Sequence, residues 1–281
     1  MSASDHARLG GGPAPLHSLS VGTAGPRVAF VHGLFGQGRN WNQIAKALAR
    51  PDGDGARCLL IDLPDHGRSP WSSQFSYVAY AEAVAAAMTA AAPGEGWTLV
   101  GHSLGGKAAM IAALAHPDVV ERLCVVDIAP KSYRTLDRFA GYIAGMQGLP
   151  LSELSSRADA DARFAEVESD PGVRAFLLQN LRREGGSWRW AANLDLIAAD
   201  AARGEGSLIA DFPATGEYPS FAGPVVWLVG AESRYVKEED SEAMRALFPQ
   251  VRKVTVKGAA HWVHTDAPEV VISTVRALLR A

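Results

Sequence analysis

Six short apolar runs constrain this chain more than any other feature. Arg27-Val-Ala-Phe-Val31 leads into His32-Gly33, Arg57-Cys-Leu-Leu-Ile61 into Asp62, and Trp97-Thr-Leu-Val100 into Gly101-His102-Ser103. Further on, Arg122-Leu-Cys-Val-Val126 leads into Asp127, Val225-Val-Trp-Leu-Val229 into Gly230, and Arg252-Lys-Val-Thr-Val256 towards Gly258. Runs of strand length without polar alternation belong to strands buried on both faces, which means a parallel sheet covered by helices. Helical text separates them at Gln43–Ala49, Tyr77–Ala92, Leu104–His116 and Ser241–Phe248. The expected fold class is therefore α/β, a doubly wound and mostly parallel sheet.

Composition agrees with a folded enzyme-sized chain. Of 281 residues, 48% are hydrophobic and 20% charged, and a chain near 300 residues buries about 75% of its unfolded surface without needing staples. Lys and Arg total 27 against 30 Asp and Glu, for a net charge of −3. That balance predicts no nucleic-acid stripe. The longest apolar stretch, Val84 to Ala92, is about half of what a membrane span needs. Both cysteines, Cys58 and Cys124, sit in apolar runs and read as buried reduced thiols. The N-terminal text lacks the apolar core of a signal peptide, so a cytoplasmic location is expected. Residues 1–26 read as a flexible lead-in and first strand region, with Gly10-Gly-Gly-Pro-Ala-Pro15 its loosest part.

The strand rhythm breaks between Lys131 and Pro224. Helical text at Arg157–Glu168 and Val173–Arg183 fills that interval, followed by Trp188-Arg-Trp190 and Pro213, Pro219 and Pro224. Because strand text resumes at Val225, residues 131–224 read as a helical cap inserted into one core of residues 27–130 and 225–281. Ligands of open α/β sheets bind beyond the carboxyl ends of the strands, where such a cap would shape the pocket.

The sharpest chemical signal is Gly101-His102-Ser103-Leu104-Gly105-Gly106, which follows a strand and opens a helix. This is a G-x-S-x-G nucleophile elbow in its required context. Small neighbours let Ser103 stand on a tight turn, and the helix behind it offers N–H groups and a positive dipole end.

Together with His32-Gly33-Leu34-Phe35-Gly36, Asp62-Leu-Pro-Asp-His66-Gly67-Arg-Ser69 and Gly258-Ala-Ala-His261, the elbow resembles the α/β-hydrolase-fold serine hydrolases over almost the whole chain. The stretch through Lys107, with Val125-Val-Asp127-Ile-Ala-Pro130, is similar to the small YbfF-type esterases in particular. The resemblance implies a Ser–acid–His triad, no cofactor, and an ester substrate. Haloalkane dehalogenases and epoxide hydrolases of the superfamily carry Asp at the nucleophile position, so Ser103 argues against both.

Of eight histidines, His261 is the expected base, since it follows the last strand and lies downstream of the serine. His6 and His17 belong to the lead-in. His32 and His66 sit in glycine turns, His102 is expected to point away from the nucleophile, and His116 marks a helix end. His264 reads as structural. His261 and His264 lack the helix-borne Glu of a zincin, so no metal is expected.

In much of the superfamily the acid follows the strand after the cap. Here that strand ends in Gly230-Ala-Glu232-Ser233-Arg234-Tyr235, with a serine in place of the aspartate. A second arrangement puts the acid after the strand next to the nucleophile's helix. Asp127 stands 24 residues beyond Ser103 at that point, and the YbfF-type resemblance implies it as well. Asp127 is the preferred acid and Glu232 the alternative.

The oxyanion donors are expected to be the amides of Leu104 and Leu34, with Phe35 as second choice to Leu34. Phe35, Phe139, Trp188, Trp190, Tyr235 and Trp262 are candidates to line the substrate pocket. Arg134 and Arg138 are candidates to steer anionic acyl groups. Lys107 reads as a carboxylate partner or a solvated helix position. Asp62 and Asp65 are expected to bond the backbone of their own turn.

The expected activity is hydrolysis of small acyl or aryl esters, or of thioesters, through an acyl-enzyme. Carbon–carbon bond hydrolysis, acyl transfer, and a hydrolase-like binding protein with negligible turnover are the alternatives. Oligomeric state stays open.

Overall fold

The computed structural model describes residues 14–133, 137–216 and 218–281, with the side chains of residues 137 and 138 left aside. His6, Arg134 and the side chain of Arg138 lie outside the described part.

The elements run in chain order as β1 (Ser18–Val21), β2 (Arg27–Val31), α1 (Asn42–Ala49), β3 (Arg57–Ile61), α2 (Tyr77–Ala91), β4 (Trp97–His102), α3 (Leu104–Ala115) and β5 (Val120–Val126). An insertion follows, with α4 (Asp137–Gly148), α5 (Arg157–Phe164), α6 (Pro171–Leu178), β6 (Leu181–Glu184), β7 (Ser187–Trp190) and α7 (Leu194–Ala201). The chain closes with β8 (Val225–Gly230), α8 (Ser241–Leu247), β9 (Val251–Val256), α9 (Val263–Asp266) and α10 (Pro268–Leu279). All six apolar runs are strands of one seven-stranded sheet, ordered β1-β3-β2-β4-β5-β8-β9. Every pairing in it is parallel except that of the edge strand β1 with β3. The expected α/β class holds.

The runs lack alternation because successive side chains enter two different apolar layers. Ala29, Val31, Leu59, Ile61, Leu123 and Val125 join a core with α2 and α3. Val28, Phe30, Cys58, Leu60, Cys124 and Val126 join a second core with α1 and α10. Burying each such aliphatic side chain is worth about 1.5–3 kcal/mol. The edge strand β9 departs from the expected burial on both faces: Arg252, Lys253, Val254 and Thr255 are exposed, because β9 has a strand neighbour on one side only. Cys58 and Cys124 are free, and burial pushes both thiols up to about 12. They are inert under ordinary conditions.

β5 and β8 are neighbours in the sheet, with Leu123 opposite Val225 and Val126 opposite Leu228. The insertion therefore leaves the sheet at the carboxyl end of β5 and re-enters one strand over, at the amino end of the parallel strand β8. Its helices start where local chemistry allows: Asp170 caps α6 ahead of Pro171, and Asn193 caps α7. One expectation needs correction. The helical reading of Val173–Arg183 stops at Leu178, and Leu181–Glu184 pairs antiparallel with Ser187–Trp190. Gly185 and Gly186 both adopt positive φ, +58° and +86°, which supplies the two-residue turn that joins tight hairpins.

Candidate active site

The sheet brings three loops together at its carboxyl end. Ser103 sits between β4 and α3 with φ 52° and ψ −119°, a conformation that L-residues rarely adopt. The turn after β2 presses against it. A Cβ on Gly33 would lie 3.1 Å from the Ser103 Cβ and 2.8 Å from the His102 Nδ1, and one on Gly105 would lie 2.3 Å from the His32 carbonyl. Only glycines allow that approach, which brings the Leu34 segment alongside the serine.

His261 follows β9 and reaches both neighbours. Its Nδ1–H donates to Asp127 Oδ2 at 2.8 Å, and the Ser103 hydroxyl donates to its Nε2 at 3.0 Å. Asp127 is fully buried, at the first residue past β5, with φ +50°. Its Oδ1 accepts the Gly230 N–H at 3.0 Å, and its Oδ2 accepts the Ser233 hydroxyl as well. Ser233 thus takes part in a way the sequence reading missed. Its hydroxyl, from the loop after the neighbouring strand, holds the orientation of the Asp127 carboxylate. Glu232 is exposed, and its amide bonds the Ala259 carbonyl. The Tyr235 ring stacks on the His261 imidazole at 3.8 Å and 17°.

The other buried imidazoles serve as braces. His102 donates from Nε2 to the His261 carbonyl at 2.8 Å, which fixes the loop bearing His261. His32 donates from Nδ1 to the Gly33 carbonyl and accepts the Leu63 N–H at Nε2, tying the turn after β2 to the loop after β3. Burial, with His66 next, pulls His32 down to about 3. Burial, with His261 next, does the same to His264, whose ring stacks on Trp41. His102 is held well below its ordinary value by burial, then by His264 and His261. All three stay neutral.

A cavity of about 190 Å³ opens onto Ser103. Leu34, Leu104, Ile128, Ile209 and Ala210 give it apolar walls, and Tyr77, Tyr133, Phe139 and Tyr235 give it aromatic ones. Phe139 and Tyr235 lie where the sequence reading put them. Phe35 stands one layer back: fully buried, it packs edge-on against Phe139 at 6.2 Å, and its carbonyl accepts from Asn180 and Gln179. The three tryptophans are elsewhere. Trp188 donates to the Leu154 carbonyl and lies between Arg157 and Arg183, and Trp190 is on the hairpin opposite Leu181. Trp262 packs on Phe176 in a separate cleft. Trp188 and Trp190 belong to the hairpin turned at Gly185–Gly186, whereas Trp262 lies on the loop after β9.

Lys107 also departs from expectation, being neither solvated nor paired with a carboxylate. It is buried, and its ammonium donates to the carbonyls of Ala210 at 2.7 Å and Asp211 at 2.6 Å. The Tyr133 ring lies 4.8 Å from the same nitrogen. Burial lowers Lys107 to about 7. Asp62 meets the backbone of its own turn at Arg68 N–H, but it also accepts from Gly38 N–H and contacts His17. Asp65 reaches further, to Ser72, Tyr80 and Asn193. Among the described residues, no group of three His, Cys, Asp or Glu side chains gathers in a way that would hold a metal, and no helix is long and apolar enough to cross a membrane.

A strained serine after the central strand shares the carboxyl end of the sheet with an imidazole and a buried carboxylate, and a family model described as alpha/beta hydrolase fold matches residues 26–268. The chain belongs to that family and is a hydrolase of the esterase/lipase type. It is 38% identical over 276 residues to the mouse (Mus musculus) sn-1-specific diacylglycerol lipase ABHD11, covering 95% of this chain and 86% of the relative. It is 29% identical over 252 residues to esterase YbfF of Escherichia coli, covering 90% and 92%. A solved marine microorganism esterase superposes with a TM-score of 0.86 at 31% identity, covering 94% of this chain and 99% of that one. The resemblance to YbfF-type esterases is thereby borne out.

Proposed function

We propose that this chain hydrolyses small carboxylic esters through an acyl-enzyme on Ser103. The observation that carries this reading is the continuous hydrogen-bonded series Ser103–His261–Asp127, which opens onto a mainly apolar cavity. Ser103 Oγ attacks the acyl carbon while its proton passes to His261 Nε2. Asp127 stabilises the imidazolium across Nδ1–H, and the amides of Leu104 and Leu34 receive the oxyanion. The imidazolium then gives its proton to the leaving alcohol. Water, activated by the same base, cleaves the acyl-enzyme and regenerates the serine.

The cavity volume of about 190 Å³ lies below the ~300–1,000 Å³ of sites that enclose drug-sized ligands. That favours short acyl or aryl groups over long chains, and oxygen esters and thioesters of such acids fit equally. Residues 131–224 act as the cap, with Ile209, Ala210 and Phe139 forming the wall that selects the acyl group. We place the enzyme in the cytoplasm, on the strength of its two free, buried cysteines.

A fluorophosphonate probe and a p-nitrophenyl ester series from acetate to palmitate test the reading. We expect labelling of the wild type but not of Ser103→Ala, and a rate maximum at short acyl length. Equal labelling of both proteins refutes the nucleophile, and a maximum at palmitate refutes the assignment of the cavity.

A further inference from the structure

A second cavity, of about 370 Å³, lies between the loop after β3 and the strand β6 of the insertion. It shares no residue with the cavity at Ser103. Five arginines line it, Arg39, Arg68, Arg157, Arg182 and Arg183, against a single carboxylate, Asp62. This concentration occurs in a chain whose net charge is −3.

Asp62 forms no ion pair with the arginines, since its oxygens are engaged by the Gly38 and Arg68 backbone N–H groups and by His17, and its single charge, which acts on Arg182, can offset only one of the five. Two arginines have structural duties. Arg157 donates to the carbonyls of Leu178 and Leu181, and Arg183 lies over Trp188. Arg39 donates to the Gln179 carbonyl from an exposed position. Among the described residues, the guanidinium groups of Arg68 and Arg182 have no hydrogen-bond or ion-pair partner. Arg182 is half-buried, and its guanidinium is pulled below its ordinary value by burial first and by Arg68 next. Five like charges gathered in a concave site, against one carboxylate from the protein, are arranged to receive further counter-charge from a ligand.

We propose that this cavity is a second binding site that takes the phosphate group of a phosphorylated ligand. The guanidinium fork matches phosphate oxygens two at a time. A phosphomonoester or diphosphate carries about two charges per terminal phosphate where a carboxylate carries one, which suits several uncompensated arginines. Gln37 and Gln179 add amide groups on the same wall, and the volume falls within the range of small-molecule sites. The shared chemistry is the phosphate; its carrier is a soluble metabolite or a lipid headgroup.

The experiment uses the full chain and the double variant Arg68→Gln/Arg182→Gln, with circular dichroism and hydrolysis of a neutral p-nitrophenyl ester as controls of folding. Neither arginine touches the Ser103 cavity, so hydrolysis stays at the wild-type rate and a failure here leaves the hydrolase reading untouched. Pyrophosphate is titrated calorimetrically at low salt, and co-sedimentation is measured with phosphatidylcholine vesicles with and without phosphatidic acid. We expect saturable one-site binding of pyrophosphate that weakens about tenfold or more in the variant, the scale of a lost charge-assisted hydrogen bond. Sedimentation only with phosphatidic acid vesicles, lost in the variant, assigns the phosphate to a lipid headgroup. Absence of both kinds of binding, or equal binding by wild type and variant, overturns the proposal.

Discussion

Replacing Asp127 by Asn perturbs the triad geometry at its buried end, and hydrogen bonding decides how the new side chain sits. Oδ1 accepts from Gly230 N–H at 3.0 Å, whereas Oδ2 accepts from His261 Nδ1–H at 2.8 Å and from the Ser233 hydroxyl. Asparagine offers the same shape with one acceptor and one donor. With its NH₂ at the Oδ1 position, two donors would face each other where the side chain has no solvent exposure. Each unsatisfied buried donor costs about 1–3 kcal/mol, so the amide oxygen stays on Gly230 and the NH₂ faces His261. The imidazole must then carry its proton on Nε2 and accept at Nδ1, while the Ser233 hydroxyl turns to accept from the NH₂. An Nε2–H pointing at Ser103 cannot take the serine's proton. We expect kcat/KM for p-nitrophenyl butyrate to fall about 10⁴-fold, about 5.4 kcal/mol at 1.36 kcal/mol per decade, with the fold intact by circular dichroism. Glu232→Gln, on the exposed turn, should leave the rate unchanged. Activity of Asp127→Asn within tenfold of the wild type, or collapse of Glu232→Gln, refutes the reasoning.

Ser233→Ala removes one donor from the same carboxylate and should lower kcat about tenfold, the low end of a charge-assisted bond, with KM little changed. Ser233→Thr should restore it, and an unchanged kcat in the alanine variant argues against the positioning role. Lys107 titrates at about 7 in the folded chain against 10.5 unperturbed, so between those values the unfolded chain binds more protons and stability climbs as pH rises, by up to about 5 kcal/mol. Lys107→Met should abolish that climb, and melting temperatures that rise equally from pH 7 to 10 in both proteins refute it. His264 titrates at about 3 against 6.5, so stability is full above 6.5 and is lost as pH falls toward 3, by up to about 1.4 kcal/mol per pH unit. His264→Gln should flatten the acid side of the thermal melting profile, and an unchanged slope counts against it.

The sheet was legible because its inner strands are buried on both faces, and apolar runs ending in glycine or aspartate have few other homes; the edge strand β9, with Arg252 and Lys253 exposed, carries the weakest of those signals. The hairpin of the insertion was less legible, since Leu181–Glu184 is short and becomes a strand only by pairing across Gly185–Gly186. Aromatic residues at Trp188, Trp190 and Trp262 carried no sign of which side they face. That is decided by how the insertion packs, not by their own chemistry. The arginines of the second cavity come from positions 39 to 183, so no local run of charge announces it.

Local sequence was enough for the elbow and its strand, because a turn between a buried strand and a helix depends on residues within a few positions of Ser103. Which carboxylate meets His261 was not a local matter. Asp127 and Glu232 follow β5 and β8, which are neighbours in the sheet. Folding separates them: Asp127 turns inward with φ +50° onto the Gly230 amide, while Glu232 faces solvent. Lys107 is the same kind of case, a charged residue whose partners lie 103 and 104 positions away. A buried polar group must find its hydrogen bonds wherever the completed fold supplies them, and only three-dimensional packing decides where that is.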